Sequence, residues 1–321
     1  MSARVCIYGT GAIGGFLAAR LAHAGTDVSC VARGAQLEAI RSGGLRLIEA
    51  DREIDVEVPC SDEPAELGQQ DIVIVALKAH ALTENVGGIA SLLGPDTIIV
   101  TMQNGLPWWY FHRDTSPLAG RHLETVDPGR RLGDELRAER AIGAIIYPAA
   151  EVIAPGVIRH SQGERFTLGE PGGETTARIE SVCELMNDAD LQASISADIR
   201  AEIWLKLSVN AAINPLSVVG GSAISEIVSD EDDRRYLTTL ISEAQSVAAS
   251  LGVVPLMKVD ELIAALQAVE GHKTSMLMDY ECGRPLELEA LTGAVLEVAS
   301  LMDVTTPGLR ALYEQVRRRR V

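Results

Sequence analysis

Three polar side chains set four residues apart, Lys206, Asn210 and Asn214, interrupt the apolar stretch AEIWLKLSVNAAINP at residues 201–215. The stretch reads as a helix: Ile203, Leu207 and Ala211, with Trp204, Leu205 and Val209, supply an apolar face, and Pro215 is expected to mark the end. At 3.6 residues per turn, this spacing puts one amine and two amides on a single stripe. An unpaired polar group in a dry core costs roughly 1 to 3 kcal/mol, so the stripe faces water or a ligand. The chain has four lysines, Lys78, Lys206, Lys258 and Lys273, against 24 arginines, so a lysine here is an exception. Burial can tune Lys to release a proton near neutral pH, whereas Arg stays charged. Lys206 is therefore a candidate general acid, with Asn210 and Asn214 as candidate substrate ligands. The bland reading is a solvated helix face.

A second group lies in HKTSMLMDYECGRPLELEALTG, residues 272–293. Ser275 sits on a helix, Asp279 follows one turn later, and Glu287 stands where the next helix begins. Ser275 could bind a substrate carboxylate together with helix N-terminal amides. Glu287 could accept from a substrate hydroxyl or hold Lys206 in orientation. Read structurally, the two are a cap and a first-turn acid.

The chain opens on RVCIY, a buried parallel strand, followed by GTGAIGGFLAARLAHAG, a tight turn entering a helix. Gly9, Gly11 and Gly14 form G-x-G-x-x-G in the strand-turn-helix context that a dinucleotide site requires. Gly9 permits the turn, Gly11 lets backbone approach a pyrophosphate, and Gly14 lets the helix pack closely on the strand. The second strand, TDVSCVAR, ends in Arg33, where an NAD site would carry a carboxylate for the ribose 2′-hydroxyl. A guanidinium there suits the 2′-phosphate of NADP, so NADPH is the expected cofactor. DIVIVALK ends in Lys78 and TIIVTMQNG in Asn104-Gly105, and ligands of open α/β sheets bind beyond strand carboxyl ends. Lys78 could contact phosphate or ribose, and the Asn104 amide could serve nicotinamide ribose and substrate.

These groups need a scaffold, and 321 residues with 47% apolar composition suffice for two domains. Strand patterns fill the first part of the chain and nearly vanish after residue 197. The expected fold is an α/β Rossmann-type N-terminal domain, residues 1–195, followed by an all-α C-terminal domain, residues 196–321. Within the first, VIRHSQGERFTLGE is expected to form a hairpin turning at Gln162-Gly163. PWWYFHRD, residues 107–114, concentrates aromatics as a lid, a substrate wall or a packing helix. The terminal RRRR is expected to fray into solvent.

A net charge of −17 disfavours nucleic acid and anionic membrane as partners. The apolar runs are too short and interrupted for a membrane span, and the start reads directly into a strand, so a cytoplasmic location is expected. Five cysteines without a CxxC pair are expected reduced and buried, and the six histidines show no metal-ligand spacing. No metal is expected. A helical domain can expose an apolar face for a partner copy, which leaves a homodimer open.

The chain resembles the ketopantoate reductase (2-dehydropantoate 2-reductase) family over nearly its full length. GTGAIG at 9–14, Arg33, LKA at 77–79, QNG at 103–105, WLKLSVNAAINPLS at 204–217, TSMLMD and RPLELE at 274–289 carry the resemblance. It implies NADPH as cofactor, bound through Gly9, Thr10, Gly11, Ala12, Ile13 and Gly14, with Arg33 and Lys78 near the adenosine phosphate and Asn104 at the cofactor. It implies Lys206 as proton donor, Asn210, Asn214 and Ser275 as substrate ligands, and Glu287 beside the reacting centre. The substrate is then a small anionic 2-oxo acid, reduced to the 2-hydroxy acid as in pantothenate biosynthesis. Three departures bear on the substrate more than on the reaction. Ser222 alone stands where some members carry a further asparagine, Glu289 replaces an aspartate, and PWWYF with its following insertion is not general. The alternatives are an opine- or imine-type reductase and a non-catalytic NADP-binding sensor.

Overall fold

The computed structural model describes residues 3–269 and 271–319. The chain divides into two compact units, Met1–Gln103 with Arg131–Ile199, and Asn104–Arg130 with Arg200–Val321. A single cut near residue 195 therefore misplaces residues 104–130, which pack with the helical unit.

The first unit contains strands β1 (Arg4–Tyr8), β2 (Asp27–Val31), β3 (Leu45–Ile48), β4 (Glu53–Val56), β5 (Cys60–Ser61) and β6 (Gln70–Val75). It continues with β7 (Leu93–Thr101), β8 (Ala141–Ile146), β9 (Ala149–Ala154), β10 (Val157–Gln162), β11 (Arg165–Gly169) and β12 (Gln192–Ile195). Helices α1 (Ala12–His23), α2 (Gly34–Gly43), α3 (Leu82–Ala90), α4 (Arg131–Leu136) and α5 (Ala177–Asp188) connect them. Eight strands form one sheet in the order β12-β11-β8-β7-β6-β1-β2-β5. Its pairings are parallel except β11 with β8. From β1 the chain runs toward β2 on one side and toward β6 on the other. This reversal is the place where open α/β sheets leave a crevice at their strand ends.

The remaining four strands form a smaller sheet, β4-β3-β10-β9. The expected hairpin at Gln162-Gly163 does not form, because β10 belongs to the small sheet and β11 to the large one. The antiparallel partner of β10 is β9. The strand signals were present, but burial decided the pairing: Ile158 of β10 is fully buried, and a Cβ on Gly15 of α1 would lie 2.7 Å from its side chain. Helix α1 packs on strands of both sheets, which is why Phe16, Leu17, Ala18, Ala19 and Leu21 are all buried.

The second unit is helical: α6 (Ile199–Gly220), α7 (Ile224–Ser229), α8 (Glu231–Ser250), α9 (Val259–Gln267) and α10 (Ser275–Glu281). A π-turn at Glu289–Gly293 then leads into α11 (Ala294–Leu301), and α12 (Pro307–Arg318) follows. Helix α6 does not end at Pro215 but runs through it. A proline inside a helix removes one N–H and leaves the carbonyl four residues earlier, here Ala211, without its usual donor. The Thr292 hydroxyl of the π-turn donates to that carbonyl at 2.9 Å, and so the helix continues. At the far end of α6, Arg319 donates to the Val218 carbonyl at 2.8 Å and to that of Val219 at 2.6 Å. The RRRR run thus places a cation on the C-terminus of α6 instead of fraying at Arg319, while Arg320 lies outside the described residues.

Residues 108–113 form turns, not a helix. Trp108, Trp109, Tyr110 and Phe111 are buried, and the Trp204 indole of α6 donates to the Tyr110 hydroxyl at 2.7 Å. Arg200 donates to the carbonyls of Tyr110 and His112, each at 2.8 Å. The Glu297 carboxylate accepts from the backbone amides of Glu124 and Thr125, each at 2.9 Å. The insertion is part of the helical core.

The glycine-rich turn gives a direct test of this packing. A Cβ on Gly14 would lie 2.1 Å from the Gly9 carbonyl oxygen, whereas one on Gly11 would have nothing within 4 Å. Gly14→Ala is expected to destabilise by about 1–3 kcal/mol or more and to lower Tm by several degrees, with a much smaller drop for Gly11→Ala. Differential scanning calorimetry checks this, and equal Tm values for the two variants would contradict the packing.

Candidate active site

In the first unit the chemistry-bearing residues gather at the carboxyl ends of β1, β2 and β6. Gly9 has φ +98°, a conformation that favours glycine, and Gly11 stands immediately before the first turn of α1. Thr10 and Gly9 fasten this turn to β2. The Val31 carbonyl accepts from the Gly9 amide, the Thr10 amide and the Thr10 hydroxyl, each at 3.1 Å. Ala12 and Ile13 then begin α1, directing its free N-terminal amides outward from the sheet end. A glycine fixed against the strand at position 14 and open space beside Gly11 are the features a bound diphosphate needs, so the residues present fit a dinucleotide.

Arg33 follows β2 as the residue before α2 and is exposed. Its guanidinium donates to Oδ1 of Asn85, a buried residue of α3. The Asn85 amide in turn donates to the Ala81 carbonyl at 2.7 Å, and its Oδ1 also accepts from the Tyr8 hydroxyl at 3.5 Å. Burial raises the Tyr8 phenol above its usual range, and the nearby Arg33 charge opposes the shift. Asn85 thus orients Arg33, a role without a signal in the sequence. Lys78 follows β6 and is half-buried. Gln103 holds the backbone just before it, donating to the carbonyls of Val75 at 2.7 Å and Leu77 at 3.2 Å.

In the second unit, Lys206, Asn210 and Asn214 lie on α6 at the expected spacing. Lys206 and Asn210 are half-buried and Asn214 is buried. Desolvation pushes the Lys206 ammonium down from the ordinary 10.5 to about 8, and the Glu287 carboxylate opposes that fall. Glu287 stands two residues before the π-turn, and its backbone carbonyl accepts from the Leu291 amide of that turn at 3.1 Å. Asn104 belongs to this unit and not to the sheet end, because β7 stops at Thr101. The neighbouring backbone is held by the π-turn: the Leu106 amide donates to the Ala290 carbonyl at 3.2 Å, and a Cβ on Gly105 would lie 2.2 Å from that oxygen.

Ser275 is exposed and opens α10. The buried Thr274 before it caps that helix by accepting from the Leu277 amide at 3.1 Å, and it shares a hydrogen bond with Ser217 of α6. The cap pairing fixes Ser275 relative to the lysine helix, and neither partner was evident as a site residue. Asp279 is buried and ion-paired with Arg284 at 2.9 Å. Glu289 accepts from the Tyr313 hydroxyl at 2.8 Å, and burial with this carboxylate pushes the phenol up to about 12. Glu289 is thereby tied to α12.

Among the described residues, no group of three His, Cys, Asp or Glu side chains is arranged to hold a metal ion, and no helix is long and apolar enough to cross a membrane. All five cysteines are free, but only Cys6, Cys30 and Cys60 are buried, while Cys282 is exposed.

A nucleotide turn with an arginine beyond the second strand, and a lysine of depressed pKa on a helix of amides, are the parts of a nicotinamide-dependent oxidoreductase. Comparison with known proteins narrows the class. Residues 5–173 match the family described as Ketopantoate reductase PanE/ApbA, and residues 198–320 match its C-terminal counterpart. The chain is 50% identical over 316 residues to a 2-dehydropantoate 2-reductase of Mesorhizobium japonicum, covering 98% of this chain and 97% of that one. A solved structure from Ralstonia solanacearum, described as a candidate ketopantoate reductase, superposes with a TM-score of 0.94 at 38% identity, covering 99% and 97% of the two chains. The 2-dehydropantoate 2-reductase of Methylococcus capsulatus gives 0.83 at 27% identity, covering 98% and 96%. The chain belongs to the ketopantoate reductase family. An opine- or imine-type assignment is thereby set aside.

Proposed function

We propose that this chain reduces 2-dehydropantoate to the 2-hydroxy acid with NADPH, in the cytoplasm, as a step toward pantothenate. The observation that carries the reading is Lys206, an ammonium whose pKa burial brings down to about 8 opposite the Glu287 carboxylate. Family membership and the relative that is 50% identical support the substrate.

When bound, NADPH supplies the hydride that reduces the ketone carbon. Gly9, Thr10, Gly11, Ala12, Ile13 and Gly14 would hold its diphosphate through backbone amides, Arg33 its 2′-phosphate, Lys78 phosphate or ribose, and Asn104 the nicotinamide side. Lys206 gives its proton to the carbonyl oxygen as negative charge develops there, so that the ketone gains one hydride and one proton and becomes the alcohol. A donor with an ordinary lysine pKa would hold its proton too firmly, and one far below 7 would arrive empty. Glu287 keeps Lys206 charged until transfer. Asn210 and Asn214 orient the oxo acid against Lys206, and the Ser275 hydroxyl receives its carboxylate.

Lys206→Ala is expected to lower kcat roughly 10²- to 10⁴-fold while leaving NADPH affinity nearly intact. Because the protonated lysine is the active form, wild-type kcat is expected to hold below about pH 8 and fall as pH rises through that value. Unchanged kcat in the variant, or a flat profile through pH 9.5, would refute the role of Lys206. Arg33→Ala is expected to raise KM for NADPH by about tenfold or more and leave KM for NADH almost unmoved, since a charge-assisted hydrogen bond contributes roughly 1.5 to 3 kcal/mol. Equal losses with both nucleotides would remove Arg33 from the 2′-phosphate.

A further inference from the structure

Two residues of the helical unit look like errors when each is taken alone. Pro215 lies inside α6, where it deprives the Ala211 carbonyl of its intrahelical donor. Thr292 is fully buried in the π-turn, where valine would pack equally well without bringing a hydroxyl into a dry core. Each resolves the other, since the Thr292 hydroxyl donates to the Ala211 carbonyl at 2.9 Å. The bond joins two segments far apart in sequence. Ala211 stands between Asn210 and Asn214, little more than a turn beyond Lys206, and Thr292 follows Glu287 by five residues. The same π-turn accepts the Leu106 amide at Ala290, anchoring the backbone next to Asn104. π-turns within helices are rare and occur often at functional sites.

Resting on the reading given under Proposed function, we propose that Thr292 is a positioning residue: through the carbonyl that Pro215 sets free, it fixes the lysine helix relative to Glu287. It touches neither substrate nor cofactor. What it sets is the register between the ammonium on α6 and the carboxylate at the mouth of the π-turn. The pairing also makes a demand that simple packing does not. If residue 215 regains an N–H, the Ala211 carbonyl has its own helical donor, and the hydroxyl of Thr292 becomes dispensable.

The experiment compares Thr292→Val, Thr292→Ser, Pro215→Ala and the double variant Pro215→Ala with Thr292→Val. For each full-length protein, kcat, KM for NADPH, KM for 2-dehydropantoate, the pH profile of kcat and Tm are measured, with Lys206→Ala in the same assay. Thr292→Val is expected to lower kcat about tenfold to a hundredfold, keep KM for NADPH within about twofold, and shift the alkaline limb of the pH profile. Thr292→Ser, which keeps the hydroxyl, is expected to stay within about threefold of wild type. The double variant is expected to match Pro215→Ala within about threefold. Wild-type kcat and pH profile in Thr292→Val would overturn the proposal, as would a defect of the same size in the Pro215→Ala background. Should Thr292→Val fail to fold, the double variant carries the test: the proposal requires it to fold and turn over like Pro215→Ala, and falls if it does not. If Lys206→Ala is as active as wild type, the functional reading itself fails and takes this inference with it. If Lys206→Ala loses activity and Thr292→Val does not, only the inference fails.

Discussion

One ammonium group of the helical unit, that of Lys206, stands under two opposed influences. Burial pushes the Lys206 charge toward neutrality, and Glu287 pulls it back, leaving a pKa near 8 where an exposed lysine would stand near 10.5. Without the carboxylate the lysine pKa would fall further, and without desolvation the carboxylate would hold it at or above the ordinary value. Such a balance depends on distance, and so it needs a backbone that holds α6 and residue 287 in fixed register. The exchange between Pro215, the Ala211 carbonyl and Thr292 supplies a bond at that place.

The two units divide the work in different ways. The first uses mainly backbone: a glycine-rich turn, a strand carbonyl at Val31 that accepts two amides and the Thr10 hydroxyl, and a close approach at Gly14 that leaves no room for a Cβ. At the end of β2 the Arg33 guanidinium is held by Asn85. The second unit uses side chains on helices, and its backbone exceptions serve to place them. A proline sits within a helix, a π-turn precedes α11, and a threonine cap at Thr274 is tied to Ser217. Residues 104–130 complete this core through Tyr110 and Glu297, carrying Asn104 with them.

Much of this was legible in the order of residues. Glycine spacing after an apolar strand announces a nucleotide turn because few other arrangements require three glycines there, and a four-residue polar spacing on an apolar helix announces a stripe. Lys206, Asn210 and Asn214 are candidates by that stripe, and Arg33 is one by its place at the end of the second strand, where an NAD site would carry a carboxylate. What could not be read depends on long-range pairing. Strands β10 and β11 look like a hairpin locally, yet Ile158 is drawn to α1 and the chain crosses between sheets at Gly163. Pro215 reads as a helix end because its rescue comes from Thr292, 77 positions later, with no local trace. The aromatics at 108–111 suggest a lid, but their partners Arg200 and Trp204 lie ninety residues away in the chain. Asn85 and Ser217 were invisible for the same reason.

With only four lysines in the chain, the charge state of each can be followed directly by NMR of lysine labelled at its side-chain carbons or nitrogen, with Lys206 assigned by its loss in Lys206→Met. The Lys206 signal is expected to titrate near 8. In Glu287→Gln that signal moves lower still, because the group that opposes desolvation is gone. A Lys206 signal that titrates near 10.5 and is unmoved by Glu287→Gln would contradict the balance between burial and carboxylate.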